Sequence, residues 1–218
     1  TIDRRSLIDT VLNGVNTPAY SMTPPGTLGY YPPKLFDFDP DQAKQLLADA
    51  GFPGGRGLPP LEILYNTHET HRKIAVAIQQ MWKKYLDISV SMVNQEWKVY
   101  LDTRDSGAYT ICRYGWIGDY VDPNSFLDLW TKESGNNKSG WSNPRYDELI
   151  LRLIPNMKSH EERLKGFHEA ETILITEMPV IPIYTYDNKH LIDPVLKGAP
   201  SNIMDYFSFK NMYLERDA

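Results

Sequence analysis

The sequence predicts an α/β fold, and three observations carry that reading. Between residues 61 and 116, short runs that alternate or favour β-branched residues take turns with amphipathic helical runs. Strand, helix, strand, helix, strand is the order of a sheet built through crossover helices. The segments on either side add helices whose starts carry capping residues, the earlier two being closed by Asn13-Gly14 and by Gly51.

The first helix is expected from Asp3 to about Leu12, with Ile2, Leu7, Ile8 and Val11 on its apolar side and Asn13-Gly14 ending it. Thr17 to Pro33, "TPAYSMTPPGTLGYYPP", is too proline-rich for regular structure, and its Tyr20, Tyr30 and Tyr31 suit a segment packed along the surface. In "DPDQAKQLLADAGF", Asp39 caps, Pro40 opens the helix, and Ala43, Leu46, Leu47 and Ala50 form the stripe expected to be buried. Strands are expected at 61–66, 88–93 and 109–116, and helices at 69–87 and 96–107. Residues 122–130 lead into a polar loop at 131–143. Helices follow at 143–154, capped by Asn143 with Pro144, and at 159–178, where Ser159 and Glu162 form a capping box. "VIPIYTY", "HLIDPV" and "DYFSFKNMYL" read as strands.

With 218 residues the chain can bury one substantial core, or a core plus a subdomain. A net charge of -5 with scattered lysines and arginines provides no footprint for a phosphate backbone, so nucleic acid is not an expected partner. Apolar runs such as "MPVIPIY" fall far short of a membrane span, and the opening "TIDRRSLIDTVLNG" is charged and helical, unlike a secretion signal. One cysteine, Cys112, excludes an internal disulfide and a multi-thiolate zinc site.

His68 and His71 stand three apart, a spacing that would suit a metal pair; a capping or ligand-contact role for His71 is the alternative. Glu96, Asp102, Asp105, Asp119 and Asp122 offer carboxylates, but nothing singles out a pair with distinct environments. No phosphate-binding glycine loop or nucleophile elbow is present, and Cys112 reads as a buried, inert thiol. Trp82 reads as core, whereas Trp97 and Trp116 flank turns beside charged residues and suit the wall of a cleft. "CRYGWIGDY", residues 112–120, places Arg113, Trp116 and Asp119 where a strand runs out into a loop, a usual place for ligand contacts, although Arg113 and Asp119 could equally form a structural ion pair.

From Tyr65 to Leu127 the chain closely resembles the peptide-binding proteins of bacterial ABC importers, the oligopeptide- and murein-peptide-binding branch of the family-5 solute-binding proteins. The motifs that carry this are "YNT", "NQEWK" with "LDTR", and R-x-G-W-x-x-D-Y followed by P-x-SFL; "PAYSMTPP", "DPDQAKQLLADAGF" and "MPVIPIYTY" extend it over essentially the whole chain in the same order. The resemblance implies a periplasmic-binding-protein-like lobe, a mixed sheet flanked by helices, with no catalysis, metal or cofactor. It implies that Asp119 receives the α-ammonium of a short peptide and that Arg113 lies near its terminal carboxylate. Arg104 and His71 would be further cations, Trp97 and Trp116 aromatic walls, and Asn66 a polar cleft position. Tyr186, less readily Tyr184, would come from a crossing segment.

Members of this branch are more than twice as long and begin with a signal peptide and a first lobe. The resemblance therefore makes residues 1–203 the second lobe and 204–218 a segment that normally returns to the missing N-terminal lobe. With half the cleft outside the chain, weak peptide affinity is expected. Partners would be the membrane permease subunits, and the location periplasmic or otherwise extracytoplasmic, lipid-anchored in some full-length forms. A murein tripeptide or dipeptide receptor of the same fold is one alternative, and a hydrolase using Asp119 another. Ile117 stands where some relatives have cysteine, so no disulfide is implied.

Overall fold

The computed structural model describes residues 1–199 and 202–215. Helix α1, Arg4–Val11, starts where the Asp3 carboxylate accepts from the Ser6 amide at 2.9 Å and ends at Asn13 and Gly14, both with positive φ. Strand β1, Thr17–Pro18, opens the irregular segment, in which Tyr30 is buried and Tyr31 exposed. Helix α2, Pro40–Asp49, is capped by Asp39 through the amides of Asp41 and Gln42.

The crossover unit follows: β2, Leu61–Asn66; α3, Glu69–Leu86; β3, Val90–Gln95; α4, Trp97–Asp105; and β4, Ile111–Cys112. These strands form one parallel sheet in the order β3-β2-β4, with Leu61 opposite Val90, Asn66 opposite Gln95, and Leu64 opposite Cys112. Ile63, Tyr65, Ala75, Ile88 and Val90 are buried between sheet and helix, with Trp82 against them as expected of a core tryptophan. On α3's other flank, Ile74, Ala77 and Met81 pack against Leu7 and Ile8 of α1.

The second half is helical. It comprises α5, Asn124–Leu127; α6, Pro144–Glu148; α7, Ile154–Asn156; and α8, His160–Glu177, whose capping box has both reciprocal bonds. Between α6 and α7 the helix widens into a π turn at Leu149–Leu153. Pro155 lacks an amide hydrogen and would crowd the carbonyl four residues back, and the wider turn relieves that crowding. Leu127, Tyr146, Ile154, Phe167 and Leu174 make this core. Strand β5, Tyr184–Thr185, pairs antiparallel with β1, and β6, Leu196–Lys197, with β7, Tyr213–Leu214, so parallel and antiparallel pairs lie in separate sheets.

Several elements depart from expectation. The α2 stripe is only half used: Leu47 packs against the sheet core, but Ala43 is only partly covered and Leu46 and Ala50 face solvent, because α2 rests on α3 by one edge. Strand β3 begins two residues later than expected, since Asp87 takes a left-handed cap conformation and the Ile88 amide still bonds to the Trp82 carbonyl. The 109–116 strand shrinks to two residues. The Arg113 amide still donates to the Leu64 carbonyl at 2.8 Å, but the Arg113 carbonyl is taken by the Tyr100 hydroxyl, and the ladder stops. In "VIPIYTY" only Tyr184–Thr185 pairs, as Pro182 lacks a donor and its carbonyl goes to Arg4 at 2.7 Å. "HLIDPV" forms no strand; the Asp193 carboxylate and carbonyl instead hold a turn at the amides of Val195 and Leu196. "DYFSFKNMYL" pairs only at Tyr213–Leu214, after a 3-10 turn at Phe209–Asn211. The closing segment expected at 204–218 is described as far as residue 215.

Candidate functional site

In a parallel sheet the carboxyl ends of the strands are where ligands bind, because the chain there turns into loops and helix N-termini. Here those ends open onto a cleft of about 530 Å³. Asn66 is the last residue of β2, and His71 lies in the first turn of α3. His68 caps that helix by accepting from the Thr70 amide at 3.2 Å, so the cap considered for His71 belongs to its neighbour. The two imidazoles lie 4.5 Å apart, and no cluster of three His, Cys, Asp or Glu side chains able to hold a metal stands among the described residues. Trp97, half exposed at the start of α4, stacks on Tyr100 with ring centroids 5.6 Å apart.

Arg113 enters from the end of β4. Its guanidinium donates to the Tyr186 hydroxyl and lies against Gly115, where a Cβ would stand 3.0 Å from Nη2. The structure thus gathers Asn66, His71, Trp97, Arg113 and Tyr186, with Tyr184 beside them, around one opening.

The electrostatics of this group differ from those implied by the resemblance. Burial, then the charge of Arg113 and that of His68, pull the His71 pKa from 6.5 down to about 4. Near neutral pH His71 is therefore an uncharged imidazole, and Arg113 supplies the positive charge. Two side-chain atoms of cleft-lining residues are buried with no hydrogen-bond partner among the described residues, Asn66 Oδ1 and His71 Nδ1, and Gln95 Oε1, on the strand residue opposite Asn66, is a third. Burying polar atoms unpaired is costly, so such a cluster at an open cleft suits groups that a ligand or water completes.

A larger cavity of about 1050 Å³ adjoins the first and shares His71, Arg113, Tyr184 and Tyr186 with it. Arg104 and Trp116 line this second space. Arg104 is largely covered, paired with Asp105 at 2.7 Å and placed over the Tyr114 ring, so its charge is already matched. Cys112, half-buried, also lines it, and burial pushes its thiol up from its ordinary value. The Trp116 indole donates to the Ser125 carbonyl at 2.7 Å, while its ring packs against the helical core.

Asp119 lines neither cavity, although Gly118 and Tyr120 on either side of it line the larger one. Its amide donates to Ser125 Oγ at 2.7 Å, and its exposed carboxylate makes no hydrogen bond or ion pair among the described residues. The Arg113–Asp119 ion pair weighed from the sequence does not form, since Arg113 turns to Tyr186 instead. Among the other carboxylates, Glu96 caps α4, Asp105 pairs with Arg104, and Asp122 pairs with Arg163 at 2.9 Å.

Sequence reasoning missed Ser125, which holds both Trp116 and Asp119, although "P-x-SFL" contains it. It also missed Glu171, fully buried in α8, where the spacing of Phe167, Ala170 and Leu174 marks the apolar face on which Glu171 falls.

Residues 1–138 match the model of the bacterial extracellular solute-binding proteins, family 5 Middle. The periplasmic murein peptide-binding protein MppA of Escherichia coli (strain K12) is 40% identical over 221 residues, covering 98% of this chain and 41% of the relative. The periplasmic oligopeptide-binding protein OppA of Salmonella typhimurium is 36% identical over 220 residues, covering 98% of this chain and 40% of that protein. A solved structure of the murein tripeptide-binding protein MppA, in its unliganded open form, superposes with a TM-score of 0.88 at 40% identity, covering 98% of this chain and 42% of the other. The chain thus spans about two-fifths of the length of the curated relatives it matches.

Proposed function

Because the chain belongs to family 5 of the bacterial extracellular solute-binding proteins, we propose that it is one lobe of a peptide receptor serving an ABC importer. In this reading short peptides are held by their termini and backbone in a cleft between two lobes and handed to membrane permease subunits in the periplasm or an equivalent extracytoplasmic space. The ligand leaves chemically unchanged. The observation that carries the proposal is the convergence of Asn66, His71, Trp97, Arg113 and Tyr186 at the carboxyl ends of a parallel sheet, with the unpaired Asp119 carboxylate on the loop that follows.

The chemistry suits sequence-tolerant binding. Every peptide carries a carboxylate that Arg113 can take and an ammonium that Asp119 can take, whatever its side chains. Residues outside the chain would supply the first lobe. The exposure of Tyr206, Phe209, Tyr213 and Leu214 supports a closing segment, 204–218, that covers itself against that lobe. The 40% identity to a murein peptide-binding protein favours murein tripeptides as a second reading of the ligand.

An NMR titration of this chain with a free-amine tripeptide and with its N-acetylated twin tests the proposal. Amide shifts at residues 113–120 with the free amine alone are expected. Equal shifts with both remove Asp119 from the ammonium role, and product formation from either peptide would replace the receptor with a hydrolase. A murein tripeptide that competes at lower concentration than an unrelated tripeptide would select the second reading.

A further inference from the structure

Residues 113–120 form no regular structure, yet a binding loop must hold its groups still to discriminate between ligands. Trp116 and Asp119, the two loop residues that the peptide-receptor reading uses, are both anchored to one residue. Ser125 Oγ accepts from the Asp119 amide at 2.7 Å, and the Ser125 carbonyl accepts from the Trp116 indole at 2.7 Å. Ser125 itself is only 2% exposed, so water has little access to replace either bond.

The support beneath Ser125 is continuous. Its amide bonds to the Asp122 carbonyl at 3.0 Å, Asp122 Oδ1 accepts from the Asn124 amide at 2.9 Å, and Asp122 Oδ2 pairs with Arg163 of α8 at 2.9 Å. Gly118 lies close over the Phe126 ring: a Cβ there would stand 2.6 Å from Cζ of Phe126, so a side chain would have to displace the ring or the loop. The result is a carboxylate with no partner of its own on a backbone that is pinned.

We propose that Ser125 is a positioning residue for ammonium recognition, its hydroxyl aiming Asp119 while its carbonyl fixes Trp116 in register with it. The proposal rests on the peptide-receptor reading above and names the residue through which that reading gains its geometry. Ser125 does not touch the ligand, and its hydroxyl acts on the free-amine terminus alone.

Ser125→Ala removes the hydroxyl and keeps the carbonyl, so it separates the two bonds. Hydrogen exchange at the Asp119 amide is expected to quicken about fivefold or more, the worth of one neutral hydrogen bond, while the Trp116 indole proton keeps its protection. The preference of the chain for a free-amine tripeptide over its acetylated twin should fall by a similar factor, with affinity for the acetylated peptide unchanged. Ser125→Thr, which retains the hydroxyl, should restore both. Unchanged exchange at Asp119 in the alanine variant overturns the clamp whatever the peptides do. A wild-type chain without preference for the free amine overturns the Asp119 reading and the ligand half of this proposal, and the exchange data distinguish that failure from the first. Equal loss of affinity for both peptides would make Ser125 a purely structural residue and overturn the proposal.

Discussion

The sheet half and the helical half treat their buried polar groups in opposite ways. At the carboxyl ends of β2 and β3, Asn66 Oδ1, Gln95 Oε1 and His71 Nδ1 are buried without partners among the described residues. In the helical half such groups are mostly consumed internally. Glu171 accepts from the Thr23 amide at 2.8 Å and the Tyr30 hydroxyl at 2.9 Å, the Tyr146 hydroxyl donates to the Leu127 carbonyl, and Asn137 Nδ2 serves the carbonyls of Trp130, Thr131 and Trp141. Thr23 Oγ1 and Trp130 Nε1 are the exceptions there. A saturated network stiffens a core, whereas an unsaturated one at an opening holds recognition in reserve. The helical half therefore acts as foundation, and under the proposed function the sheet ends are the part left open for a ligand.

The sharpest way to break this division is to damage the foundation. Phe167 is fully buried among Tyr30, Ile154 and Leu174, so Phe167→Ala should cost about 3–5 kcal/mol in denaturant unfolding. The chemical shifts of Asn66 and His71 in the remaining folded molecules should stay put. A variant that loses the cleft shifts together with stability would show that the halves are one unit.

Glu171 provides the next largest effect. Burial raises its pKa from 4.5 to about 7, against hydrogen bonds from Thr23 and Tyr30 that favour the charged form. A folded pKa above the unfolded one means stability that is full below about pH 4.5 and is lost as pH rises through about 7. Over that window the loss is roughly 2–3 kcal/mol, at about 1.4 kcal/mol per unit. Glu171→Gln stays neutral, so its stability relative to wild type should rise between pH 5 and pH 8. A constant difference across that range would remove the buried charge from the account.

What the sequence disclosed divides along the same line. Helix boundaries were legible because local chemistry writes them: Asp39, Asn143 and Ser159 all cap as expected, and Asp3, expected as the first helical residue, proves to be the cap one position earlier. The short strands were not, because pairing is decided by distant groups: the Tyr100 hydroxyl ends β4, and Arg4 takes the carbonyl of Pro182. Resemblance assigned Arg113, Trp97 and Asn66 to a cleft where the structure does gather them. It could not tell that Arg104 is already paired with Asp105 or that His71 is uncharged, since both follow from burial and neighbours that only folding brings together.

Asn66 tests the other side of the division. Its Oδ1 has no partner among the described residues, so Asn66→Ala loses no internal bond from that atom and should change unfolding free energy by less than about 1 kcal/mol. Peptide affinity should fall about five- to tenfold if that atom is held for a ligand. Intact binding with reduced stability would reverse the assignment and make Asn66 part of the foundation.

The smallest expected effect is also the most local. His71 owes its low pKa first to burial and then to Arg113, so Arg113→Gln should move the midpoint of the His71 Cε1 proton titration upward from about 4, while burial keeps it below 6.5. The sign is opposite to that of Glu171: a histidine with a depressed folded pKa contributes stability above about pH 6.5 that is lost as pH falls through about 4. A peptide carboxylate seated at Arg113 should lift the same midpoint in the wild-type chain, because it adds a negative charge where only positive ones now face the ring. If Arg113→Gln leaves the midpoint where it is, Arg113 does not act on His71, and burial alone sets the imidazole. If the substitution raises it and peptide does not, the ligand carboxylate sits elsewhere and the cleft described here is not where the peptide ends.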